Sequence, residues 1–406
     1  MTSVRQTLRG LLPPTLRERY HLYALKRDFG IDRRNGTRQP TRLDTRRQPG
    51  LNVIGYFDSP GGIGQSTRSL ADAAERAGIP VAREKISRYG HAVGSAPYDV
   101  NLYHANADGA AALVEELGPR LHSGRANVGY WYWETETLPP EWRDRFDYFD
   151  EIWVATQYCE QSVALSSPIP VFRIPPAVEP AAARTGPKAW AGVDSADFLF
   201  LSVVDALSVP ERKNPVGTVR AFARAFPTPS SAHLLLQISN IERTPGLSQE
   251  LASAAAGTRV TIRTTPLPRP DLENLFAACD AYVSLHRAEG FGFPIAEAMA
   301  AGKPVVATDY SGSADYLDET TGFPVRWKYM ELPRTIRDYA RGTRWAEADE
   351  VHAAELLRRV FEDHDEAAHR ADRGRRRVFE LYSASAVGQR IAERLDALRL
   401  RLPKSA

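Results

Sequence analysis

Two glutamates, Glu289 and Glu297, bracket the segment EGFGFPIAE. Between them Gly290 and Gly292, on either side of Phe291, let the main chain come close to a ligand. Pro294 suits the start of a helix. A helix N-terminus presents free amides and a partial positive charge, which favours a phosphate. The flanking carboxylates favour vicinal hydroxyls. Phosphate and hydroxyls recognised on one short segment describe a nucleotide sugar. Upstream, the apolar run DFLFLSVVD is followed by SVPERKNPVG. Arg212 and Lys213 then stand near the C-terminal end of a strand, where open α/β sheets bind ligands. Two fixed cations there suit a departing diphosphate.

The stretch from Ala281 to Leu317 carries EGFGFP, EAMAAGKPVVA and DYSGSAD in order. It resembles the Glu-x7-Glu motif of the retaining glycosyltransferases of family 4, in their bacterial polysaccharide-type subgroup. The resemblance implies the GT-B fold: two Rossmann-like βαβ domains facing a cleft, with a C-terminal helix crossing back to the first. It assigns Glu297 to the ribose hydroxyls of the donor and Glu289 to the donor sugar. The amides of Gly290, Phe291 and Gly292 would meet sugar and diphosphate. Lys213 matches the family's phosphate-binding Lys well. Arg212 stands in for a further Arg that many members carry directly after the strand, where this chain has Asp205, Ala206 and Leu207.

Other residues join this set. Gly62 and Gly64 in SPGGIGQS resemble the G-x-G loop of the family's first domain, although Thr67 stands where a third glycine would complete a dinucleotide fingerprint. His104 ends the apolar run VNLYH, a place from which it would donate to the donor sugar or steady the acceptor. Trp133 and Glu134, in YWYWETE, resemble a WxWE block of the subgroup and suit an acceptor's sugar face and hydroxyls. Arg287 reads equally as a phosphate ligand or a structural ion pair. The catalytic candidates are therefore Glu289, Lys213, Arg212 and His104. Asp363 and Asp365 imitate an Asp-x-Asp metal motif, but no strand precedes them and they read as a solvated helical face.

These residues need two α/β frameworks to hold them. The chain has 406 residues, enough for two domains. Short apolar runs alternating with helical stretches from Leu51 onward imply parallel βα units. The reading divides the chain into a basic extension over 1–49, a first Rossmann-like domain over 50–180, a second over 181–380, and a crossover helix over 381–406. A Pro- and Ala-rich stretch near 175–192 joins the domains. From about Glu331 the pattern reads as charged helix. In the extension, Leu8, Leu12, Leu16 and Tyr20 recur among many Arg residues, a pattern that suits an anionic membrane surface.

A net charge of +2 gives no nucleic-acid signal, and two cysteines make no disulfide framework, which favours the cytoplasm. Peripheral attachment to the inner face of the membrane is compatible with the basic extension. No cofactor or metal is called for; the nucleoside-diphosphate sugar is a co-substrate, with its base (GDP- or UDP-linked) left open. The expected activity is hexosyl transfer to a hydroxyl of a glycan, lipid-linked glycan or small molecule. Two enzyme alternatives stay open at this point: a nucleotide-sugar epimerase on the same fold, and a Rossmann oxidoreductase using SPGGIGQS.

Overall fold

The computed structural model describes residues 29, 31–32, 37–38, 41–87, 90–179, 188, 192–227 and 230–405. The Leu- and Arg-bearing pattern of residues 1–28, and most of the interdomain stretch after 179, lie outside these residues. The first domain alternates β1 (Gln48–Gly55), α1 (Gly62–Arg76), β2 (Val81–Ser87), β3 (Gly90–Ala92), β4 (Tyr98–His104), α2 (Ala107–Leu117), β5 (Ala126–Trp131), β6 (Glu151–Val154), α3 (Gln157–Ala164) and β7 (Val171–Arg173). Its sheet runs β7-β6-β5-β4-β1-β2-β3, parallel except for the antiparallel edge strand β3. The second domain starts with β8 (Phe198–Asp205), α4 (Pro210–Lys213), α5 (Pro215–Ala225), β9 (Ala232–Ser239), α6 (Leu247–Ala255), β10 (Val260–Arg263) and α7 (Arg269–Ala278). It continues with β11 (Ala281–Ser284), α8 (Phe293–Ala300), β12 (Val305–Thr308) and β13 (Phe323–Val325). Its sheet runs β10-β9-β8-β11-β12-β13, all parallel.

Such strands are covered by helices on both faces, so they are apolar along their length rather than alternating. In β8 the run Leu199, Phe200 and Leu201 is fully buried. The strand order reverses between β8 and β11, and a doubly wound sheet opens a crevice at the C-terminal ends of two such strands. The second-domain candidates sit in the loops and first helical turns that follow these two strands.

The sequence reading of charged helix from Glu331 is corrected by the structure. An antiparallel ladder of β14 (Trp327–Glu331) and β15 (Arg344–Ala348) occupies that position, and helix resumes only at α9 (Glu350–Glu362). The charges that imitate a helical face belong to a hairpin whose Tyr339 and Trp345 are buried while its Arg residues reach outward. The Asp-x-Asp imitation opens α10 (His364–Tyr382), with Asp363 accepting from the Glu366 amide as its cap.

The last helix, α11 (Ala384–Arg401), crosses back and lies on α1. Gly388 packs so closely on the Ala73 carbonyl that a Cβ there would collide with it. Glu151, fully buried at the start of β6, accepts from Arg394 at 2.7 Å, Arg401 at 2.9 Å and the Trp153 indole at 2.7 Å. The two interdomain connections run side by side: Val178 N–H donates to Tyr382 at 2.8 Å, and Ala384 N–H to Glu179 at 3.0 Å. The described end of the basic extension is docked on the enzyme. Phe29 packs edge-on against His122 and Tyr148, and Leu43 pairs in parallel with Lys404. The first domain's leading strand begins at Gln48, three residues before the apolar run that marks it in the sequence. No helix among the described residues is long and apolar enough to cross a membrane.

Candidate active site

The loop after β8 turns sharply into α4. Val209 takes a positive φ, and Asn214 in the left-handed region caps α5 by accepting from the Gly217 amide. A Cβ at residue 217 would strike the Asn214 amide group. This tight double turn presents Arg212 and Lys213 toward the loop after β11. There Glu289 accepts from Lys213 Nζ at 2.5 Å and from Arg212 at 3.3 Å. Glu289 is 7% exposed. Burial alone would raise its carboxyl, but Lys213 and then Arg212 outweigh burial and hold it at about 2. Burial lowers the Lys213 ammonium, with Glu289 opposing that fall. The site is thus two cations folded around one ionised acid.

Arg212 is buried and its other donors are directed. Its guanidinium gives to the Ala288 carbonyl at 2.7 Å and the Ser208 carbonyl at 3.2 Å, and lies 3.5 Å from Glu134. Its Nε has no partner among the described residues. Burial opposes its charge, but Glu134, Tyr339 and Glu289 together raise the guanidinium above its ordinary value.

Gly292, in the left-handed region at φ 85°, turns the chain into α8. Its missing Cβ leaves room for the Tyr316 hydroxyl, which donates to the Phe291 and Gly292 carbonyls. The Phe291 side chain points into the core, edge-on to Phe293 and Tyr382, so only its backbone faces the site. Gly290 is pinned from the other domain: its carbonyl accepts from Thr156 at 2.9 Å, and a Cβ would stand 2.8 Å from the Tyr132 ring. Glu297, 7% exposed, lies one turn into α8. One of its oxygens receives Gln65 Nε2 at 2.5 Å and Arg269 at 2.5 Å; the other has no partner among the described residues.

The first domain meets this cluster through Gly61 and Gly62 at the start of α1, where a Cβ would lie 3.8 Å from Asp205 and from Phe293 respectively. Gly62 and Gly64 belong to the first turn of α1 rather than to the loop before it, with Gly61 as the N-cap. His104 ends β4 as read, but it is wholly buried, stacked on Tyr130 and hydrogen-bonded through Nε2 to Ser66 at 2.8 Å. Burial holds its imidazole at about 3, hence neutral. Ser66 in turn bonds the Tyr132 hydroxyl at 2.7 Å. Arg287 spends its guanidinium on a bidentate pair with Glu347, at 2.8 and 3.1 Å, and on the Glu211 carbonyl. Trp133 stacks on Tyr339 with ring centroids 5.2 Å apart, and Glu134 accepts from the Tyr339 hydroxyl at 2.7 Å.

Sequence reasoning missed three residues that touch this site: Arg269, Tyr339 and the Gln65 side chain. Arg269 opens α7, the next element after the C-terminal end of β10, and that position was the available signal. Tyr339 had none, because its hairpin reads as helix.

Fold and site together define a GT-B scaffold, two Rossmann-like domains closing on a crevice. Residues 206–338 match the family model described as Glycosyl transferases group 1, a span that holds both cations and both acids of the cluster. The chain is a transferase carrying that glycosyl transferase domain. Its fold is similar to that of HepE from Anabaena in complex with UDP and glucose: TM-score 0.61, 17% identity, covering 86% of this chain and 100% of that one. Sucrose-phosphate synthase from Thermosynechococcus elongatus superposes with TM-score 0.64 at 16% identity, covering 87% and 100%. A glycosyltransferase from Rickettsia africae does so with TM-score 0.65 at 14% identity, covering 88% and 100%. No curated protein matches the chain in sequence.

Proposed function

We propose that this transferase moves a hexosyl group, with retention, from a nucleoside-diphosphate sugar of the UDP type to an acceptor hydroxyl on a glycan or lipid-linked glycan. The observation that carries the reading is the pairing of Lys213 and Arg212 with an ionised Glu289 at the crevice of the second sheet, in the loop that leads into the helix bearing Glu297. The likeness to a fold solved with UDP and with UDP-glucose supports the choice of base. The free oxygen of Glu297 would take the ribose hydroxyls. The Gly290–Gly292 backbone and the cations would take sugar and diphosphate. As the bond to the anomeric carbon breaks, negative charge grows on the leaving diphosphate, and Lys213 and Arg212 stabilise it there. A donor phosphate oxygen would accept the acceptor's proton on the same face. Charge neutralisation by side chains leaves no step that requires a metal ion. The acceptor would approach from the first domain, beside Trp133 and Glu134. The basic residues before Phe29 would rest on an anionic bilayer that carries the acceptor; equal sedimentation with anionic liposomes by the full chain and one starting at Phe29 would refute that attachment.

The test is nucleotide release from UDP-, GDP-, ADP- and TDP-sugars with candidate acceptors in excess EDTA. UDP-sugar turnover should survive chelation, and Lys213→Ala should lower kcat by about two orders of magnitude, as loss of an oxyanion stabiliser does. Activity of that variant within a few-fold of the parent, or activity restored only by added divalent metal, would refute the reading.

A further inference from the structure

The hairpin of β14 and β15 bridges the two domains beside the cations. On one side, Arg337 donates to the Leu207 carbonyl at 2.6 Å and Arg334 lies 3.5 Å from Glu211, both in the turn that bears Arg212. On the other side, Tyr329 donates to Glu136 at 2.8 Å and Arg344 does so at 3.1 Å, both to the first domain. Between these supports Tyr339 is buried, held flat against Trp133 and edge-on to Trp345.

Its hydroxyl takes one oxygen of Glu134 at 2.7 Å, while the other oxygen stands 3.5 Å from Arg212. The two distances define a competition. Glu134 is tightly engaged by Tyr339 and only loosely by Arg212. A carboxylate released from the tyrosine could rotate and grip the guanidinium with both oxygens, the preferred geometry of an Arg–carboxylate pair. That grip would draw Arg212 off the Glu289 side, where a diphosphate would lie, and spend its charge.

We infer that Tyr339 is a positioning residue of the donor site: by occupying Glu134 it keeps Arg212 available to a diphosphate. The inference rests on the proposed role of Arg212 and assigns a function to a hairpin of the second domain. It also makes Glu134 a residue that acts through Arg212 as well as one near the acceptor.

The test measures binding rather than turnover, by calorimetry with inorganic pyrophosphate and with uridine. Tyr339→Phe keeps the ring stack and removes only the hydroxyl. It should weaken pyrophosphate binding several-fold and leave uridine within two-fold of the parent. Adding Glu134→Gln to that variant removes the competing charge and should return pyrophosphate affinity toward the parent value. A merely structural role would weaken both probes alike and would not be rescued by a second substitution. Unchanged pyrophosphate binding in Tyr339→Phe, or no rescue by Glu134→Gln, overturns the inference alone. A parent protein that binds no pyrophosphate overturns the cation assignment itself, and this inference with it.

Discussion

Gln65 and Arg269 both hold the same oxygen of Glu297. Removing the carboxylate therefore deletes the proposed ribose acceptor and frees two donors at once. Glu297→Ala should weaken UDP binding by about 1–3 kcal/mol, the usual cost of leaving buried polar groups unpaired, with the fold intact. Calorimetry checks this, and unchanged affinity would remove Glu297 from the nucleotide site. Glu289 makes a prediction about acid. Its folded carboxyl sits at about 2, below its ordinary 4.5. The stability it contributes is complete above pH 4.5 and is lost as pH falls from there toward 2, because the unfolded chain binds the proton first. Between those limits the parent's unfolding free energy should fall more steeply with acid than that of Glu289→Gln. Parallel curves would mean the carboxyl is not held by its cations.

The crossover helix α11 is tied down by charge as well as by apolar contact. Glu151 is fully buried with two arginines on it. Glu151→Ala strands those cations, and breaking a buried pair of this kind costs about 3–5 kcal/mol. An unfolding free energy from denaturant titration lowered by less than a quarter of that would show that the arginines find water instead. The crossover helix was legible through the family resemblance, and the two glycine-rich segments through their residue types. The strand–loop–helix around Glu289 was legible for the same reason: its glycines, proline and acids are local signals. The hairpin was not. Its strands, WKYME and RWAEA, are only five residues each, and what fixes the hairpin is contact with Glu134, Glu136 and Glu211, remote in the chain. The double occupation of Glu297 was equally silent, since Gln65 lies in the other domain. Residues that meet only through tertiary structure leave no period to read.

The two domains touch along the crevice and are joined by two adjacent chain crossings at Val178 and Tyr382, which share a hydrogen bond. Paired crossings at one end of a cleft allow rotation while restraining separation, the hinge-like arrangement that domain closure uses. Gly290 lies where the two domains meet. Nothing in its own backbone demands glycine; the Tyr132 ring of the facing domain does, 2.8 Å from where a methyl would be. A single carbon added here is a doorstop. Gly290→Ala should leave the second domain able to take UDP, because its cations and Glu297 are untouched. It should hold the jaws apart, seen as a larger radius of gyration in solution scattering, and lower turnover far more than nucleotide affinity. A variant as compact and as fast as the parent would show that the tyrosine simply steps aside. Otherwise the smallest side chain in the protein marks how far the enzyme must shut before a sugar can change hands.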